Sequence, residues 1–324
     1  MTRHLSWPYG HQYESAWGPV TSTVNFCEMD YYITPYVAEF INTLTNVLYV
    51  YLAAYGLVKA LREDKDSLFV LTYAIYAGVG IGSVLFHATL KYTMQMGHSL
   101  SPSPMSFPHV FPEVDISAVD ELSMLYSTSM VLYTIWSFQL APTSRRILAG
   151  ALVLTLTLLT FAHYLLGDST PQRVVFGCQI ACVFFRTVFL MRTQVEDEVA
   201  LRHMKKLATV GATTFVAGFA LWLVDDGACG WLRGMREWTG MPVGFVLELH
   251  GWWHLLTGTG VYCFLVFVEY LHVQINALQD EWEYSEDGYC VMFPRVSRKK
   301  NAPLAADGAD GGSGGGYGAV AQSE

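Results

Sequence analysis

Three histidines carry the strongest chemical signal in this chain. His250 and His254 stand four residues apart in Leu249-His-Gly-Trp-Trp-His-Leu255. On a helix that spacing puts both imidazoles on one face, one turn apart. His87 closes a separate apolar segment and can supply a third ring. Three protein ligands around Zn²⁺ leave the fourth tetrahedral position to water, the arrangement of catalytic zinc. No Glu follows His250, so the helix is not an H-E-x-x-H metalloprotease helix. An i,i+4 histidine pair also arises by chance, and a histidine within a membrane can serve as a simple hydrogen-bonding group. What favours ligation is that His87, His250 and His254 all fall at one end of the expected bundle. His4, His11 and His203 fall in loops or the terminus, His163 is alone in its segment, and His272 falls at the other end.

Other oxygen-bearing residues share the level of these histidines. Ser83 precedes His87 by four and lies on the same helical face. Asp120 and Glu121 open a later apolar segment. A carboxylate near an activated water shuttles protons, and a hydroxyl can donate to a developing oxyanion. The plainer reading of Asp120 and Glu121 is a pair of acids favoured at a helix N-terminus. Asn25, Glu28 and Asp30, with Glu39 downstream, form a second group of oxygens that suits Ca²⁺; a solvated acidic loop is the alternative.

Long apolar helices must position these groups. Hydrophobic residues make up 52% of the 324, and charged residues 15%, against about 25% in soluble domains. Mean hydropathy is +0.30. The composition disfavours a soluble enzyme, a disordered scaffold and, with a net charge of −9 and no basic patch, a nucleic-acid binder. Seven segments approach the roughly 20 residues that cross hydrocarbon: 36–58, 68–90, 119–140, 146–166, 172–192, 206–224 and 244–272. The expected fold is therefore an all-α, seven-transmembrane helix bundle. Lys and Arg concentrate in the first, third and fifth connecting loops and in the C-terminal tail. That bias places the N-terminus outside the cytosol and the C-terminus in it. Residues 1–34 lack the apolar core of a signal peptide.

Residues 1–35 thus form a lumenal segment, 36–272 the bundle, and 273–324 a cytosolic tail that is Gly/Ala/Ser-rich, and expected to be disordered, from 302. Residues 97–118, rich in Pro and Ser, read as a lumenal insert, and their composition raises the hypothesis of a retained intron. Transcript reads that all keep the segment would dispose of that hypothesis. Cys27 and Cys229 both fall on the oxidising side, where they can readily pair.

Trp17-Gly-Pro-Val-Thr-Ser-Thr23, Cys27-Glu28, Ala38-Glu-Phe-Ile-Asn42, Gly82-Ser-Val-Leu-Phe-His-Ala-Thr-Leu-Lys-Tyr92, Asp120-Glu-Leu-Ser-Met124 and His250-Gly-Trp-Trp-His-Leu-Leu-Thr-Gly258 together resemble the alkaline ceramidases, in a fungal style. The resemblance runs from Trp17 to the end of the last span. It implies a seven-span member of the wider group that includes the progestin and adiponectin receptors. The implied activity is hydrolysis of the amide of ceramide, of the phytoceramide or dihydroceramide type, drawn from the bilayer of the endoplasmic reticulum or Golgi. It further implies Zn²⁺ on His87, His250 and His254, with Ser83 and Asp120 beside it. Ca²⁺ is implied at Asn25, Phe26 (through its carbonyl), Glu28, Asp30 and Glu39, and the Cys27–Cys229 pairing is supported. The insert at 97–118, between His87 and Asp120, departs from the family's pattern. The competing class is a seven-span lipid-binding receptor with structural zinc. A receptor needs no nearby base, so Asp120 and the resemblance favour the enzyme.

Overall fold

The computed structural model describes residues 7–22, 25–91, 116–166, 170–286 and 294–300. Its long helices are α1 (Phe40–Arg62), α2 (Ser67–Thr89), α3 (Ile116–Ser137), α4 (Pro142–Leu166), α5 (Thr170–Gln194), α6 (Glu198–Gly227) and α8 (Leu249–Ile275). Among the described residues six helices are long and apolar enough to cross a membrane: α1, α2, α4, α5, α6 and α8. The chain is accordingly a multi-pass membrane protein. The expected third span corresponds to α3, a helix of 22 residues. Of the insert, residues 97–115 lie outside the described residues, as does the tail beyond 300.

Helix α8 is the axis of the bundle. Its apolar window is 78% buried, against none of that of α4. Small residues let its neighbours approach. A Cβ on Gly260 would meet the Gly211 carbonyl of α6 at 2.9 Å, and one on Gly251 would meet Ile41 of α1 at 2.9 Å. Tyr76 of α2 donates its hydroxyl to the Gly258 carbonyl at 2.7 Å. The apolar side chains of Leu52, Tyr76, Leu207 and Phe267 close the core.

Two features differ from the sequence expectation. Residues 229–239 form a short helix, α7 (Cys229–Thr239), followed by a 3-10 turn (Val243–Leu247). The last span therefore begins at Leu249, not at 244. Helix α7 is too short and too charged to register as a span, and Gly240 ends it with a φ of 67° that suits glycine. Trp231 and Trp238 of α7 are exposed while Leu232 and Arg236 are buried. In the tail, β1 (Trp282–Glu286) and β2 (Pro294–Arg298) pair antiparallel, with Trp282 opposite Arg298. The hairpin docks on the bundle: Val296 is buried, and the Tyr262 hydroxyl of α8 donates to the Pro294 carbonyl at 3.0 Å.

Candidate metal centre and active site

The site is assembled where the N-terminal segment folds back on the bundle. Helix α1 begins without a side-chain cap from its own N-cap residue, Glu39. Glu28 caps it from a distance. Its Oε1 accepts the Ile41 N–H at 2.7 Å and its Oε2 the Asn42 N–H at 2.8 Å. Two of the orphan donors of the first turn are satisfied in this way. The Glu39 carboxylate, freed from capping, turns inward. Its Oε1 accepts the Phe26 N–H at 3.2 Å, and its Oε2 accepts from Asn42 Nδ2 at 3.1 Å and contacts His87 Nδ1.

His87 at the end of α2 and His250 and His254 in the first turns of α8 are all buried. One nitrogen from each ring lies within 4.8 Å of the others, and among the described residues they form the one group of three such side chains close enough to share a metal ion. Their ring centroids are 4.6 to 5.1 Å apart. His87 Nε2 and His250 Nδ1 have no hydrogen-bond partner. Each such buried orphan costs about 1–3 kcal/mol, a cost that a shared cation removes. His254 Nδ1 lies 3.1 Å from the Thr45 hydroxyl and 3.2 Å from Asn46 Nδ2, so α1 holds this ring from the Nδ1 side. The donor set and the two orphaned nitrogens fit Zn²⁺. The Glu39–His87 contact is the carboxylate–histidine pairing that orients a metal-binding imidazole.

Ser83 is buried one turn before His87, and its Oγ accepts from Asn46 Nδ2 at 3.0 Å. Asp120 belongs to the first turns of α3; its side chain is outside the described residues. Phe138, just past α3, packs its ring 5.4 Å from that of His272. The same interval separates 120 from 138 and 254 from 272, roughly 27 Å at 1.5 Å per residue. Asp120 therefore stands as many residues before Phe138 as His254 stands before His272.

Of the residues expected around Ca²⁺, the Glu28, Asp30 and Glu39 carboxylates do not draw together into a group of three close enough to share an ion among the described residues. Asn25 Nδ2 donates to Asp30 Oδ2 at 3.0 Å, and Asp30 Oδ1 has no partner. Phe26 lies over His250 with ring centroids 3.8 Å apart. Burial, then the Glu248 and Glu39 carboxylates, raises Glu28 well above the usual carboxylate range. Burial and then Glu39 raise Asp30. Both shifts favour the neutral, protonated carboxyl over the carboxylate.

Cys27 and Cys229 form the expected disulfide, with Cα atoms 5.3 Å apart. The Cys27 carbonyl accepts from Arg233 Nε at 3.0 Å and from Arg236 Nη1 at 3.1 Å. Arg236 in turn donates to Glu248 at 2.6 Å, immediately before the helix that carries His250. The N-terminal segment, α7 and the histidine helix are therefore one unit.

Sequence reasoning missed Asn46, Thr45 and the Arg236–Glu248 pair. The polar spacing of Asn42, Thr45 and Asn46 within an apolar segment was the available signal.

A multi-pass membrane protein with three imidazoles gathered at one end of its helices is the class that fold and site define. The ceramidase family model matches residues 18–296, and the chain belongs to the ceramidase family, a family of hydrolases. Alkaline ceramidase YPC1 of Saccharomyces cerevisiae is 33% identical over 289 residues, covering 89% of this chain and 87% of that protein. Alkaline ceramidase 3 of Mus musculus is 29% identical over 255 residues, covering 78% and 85%. The alkaline ceramidase of Arabidopsis thaliana is 27% identical over 290 residues, covering 88% and 96%.

Proposed function

We propose that this chain is a zinc-dependent amidase that hydrolyses ceramide within the membrane to a free sphingoid base and a fatty acid. The observation that carries the reading is the convergence of His87, His250 and His254, buried, with ring nitrogens left unsatisfied. Bound there, Zn²⁺ would polarise the amide carbonyl and lower the pKa of a water beside it. Glu39 accepts the His87 Nδ1 proton and so fixes the tautomer that turns Nε2 inward. Asn46 occupies a lone pair of Ser83 Oγ, which leaves the hydroxyl proton free for the oxygen that gains charge as the carbonyl carbon becomes tetrahedral. Asp120 takes a proton from the attacking water and passes it to the leaving amine.

The bundle has seven spans, α1 to α6 and α8, with the histidine end lumenal and the chain in the endoplasmic reticulum or Golgi. Two observations support that orientation: a disulfide at the histidine end and the basic loops at the other. The ceramide head meets the histidine end while its chains follow the apolar helices. Phytoceramide and dihydroceramide are the substrates to try first. Purified protein is expected to release sphingoid base from them, to lose that activity to a chelator and to regain it with Zn²⁺. Turnover that persists after all metal is removed would defeat this reading.

Ca²⁺ is assigned to the N-terminal segment, at Asn25, the Phe26 carbonyl, Glu28, Asp30 and Glu39, as a structural ion. Ca²⁺ at constant zinc is expected to raise both the melting temperature and turnover. No response in either would leave the acidic group a plain loop. Glu39 also holds His87, so Glu39→Gln is expected to weaken zinc binding by about 10–100-fold, the range for lost supporting partners of a metal ligand. Competition with a chelator measures it, and unchanged affinity would detach Glu39 from the zinc site.

A further inference from the structure

Helix α5 carries a charge where charges are costly. Arg186 lies within its apolar stretch, toward the end remote from the histidines: Gln139 just past α3 and Gln194 at the end of α5 bond at 2.6 Å there. Arg186 is eight residues from that end, roughly 12 Å along the axis. Its guanidinium stands 5.4 Å from the ring centroid of Trp136 on α3 and 5.4 Å from that of Phe189 on α5. Trp136 and Phe189 are 39% and 52% exposed, so this side of α3 and α5 faces outward, onto the surface that meets lipid. Among the described residues no carboxylate pairs with Arg186, and its Nε is buried without a hydrogen-bond partner.

An intramembrane arginine without a protein partner requires a counter-ion. The Trp136 and Phe189 rings attract the cation through their faces. Ring faces accept no N–H bond in the way an oxygen does, and the guanidinium donors form a fork that matches the paired oxygens of a phosphate or carboxylate. We propose that Arg186, held by Trp136 and Phe189, binds the oxyanion of an anionic amphiphile from the leaflet at this end of the bundle. The ligand is the phosphate of a phospholipid or the carboxylate of a free fatty acid. The site lies at the end of the bundle opposite the histidines and is independent of the zinc reading, so either can fail without the other.

Native mass spectrometry of the purified protein with phosphatidic acid, oleate or phosphatidylcholine tests the site. The wild type is expected to retain one anionic amphiphile per chain and to prefer it to phosphatidylcholine. Arg186→Gln is expected to lower that retention at least tenfold while keeping ceramide turnover in zwitterionic detergent, which reports that it is folded. Arg186→Lys keeps the charge but loses the fork, and is expected to lose retention several-fold. It decides the matter if the Gln variant does not fold. Retention of phosphatidic acid alone identifies a phosphate ligand, and of oleate alone a carboxylate. Anionic retention unchanged by both substitutions, or phosphatidylcholine held as well as phosphatidic acid, would overturn the proposal.

Discussion

His254→Ala is expected to abolish ceramide hydrolysis while the protein remains inserted and folded. The residue lies one turn into α8, buried, with its Nδ1 held by Thr45. On the proposed assignment, removing it takes away one of three zinc ligands and leaves the pair His87 and His250, which cannot hold the tetrahedral geometry that activates water. The substitution also opens a small cavity beside Asn46 and Thr45, whose cost falls on polar groups that water can satisfy. Loss of activity should therefore far exceed loss of stability. Melting temperature and turnover, measured on the same preparation, separate the two. Retained turnover with normal stability would remove His254 from the reaction.

Asp120→Asn should keep the metal and lose most of the rate. An amide of the same shape cannot take and return a proton, and general acid–base catalysis contributes about 100- to 10,000-fold. A fall in kcat of at least roughly a hundredfold, with zinc content unchanged, is the expected result. Asp120 lies in the first turns of α3, as many residues before Phe138 as His254 lies before His272. Near-normal turnover would pass the role to Glu121 or to another base.

The sequence made some of this visible and hid the rest for identifiable reasons. His250 and His254 were legible because helical periodicity places residues four apart on one face. Ser83 and His87 share a face for the same reason. The bundle was legible because apolar runs of spanning length have few alternatives in lipid. The Cys27–Cys229 pairing followed from topology and resemblance, and the structure contains it. The double task of Glu39 was not legible, because it depends on Glu28 capping α1 from outside the helix. Nor was α7, whose buried Arg236 reads as a surface residue until Glu248 and the Cys27 carbonyl surround it. The tail hairpin escaped because its strands are five residues each and stand beside a low-complexity stretch.

Metal analysis of the purified protein tests the central claim most directly. The wild type should carry one zinc per chain, and the His87→Ala, His250→Ala double variant none, since its single remaining imidazole offers no chelate. One zinc per chain still bound in the double variant would contradict the assignment of the site.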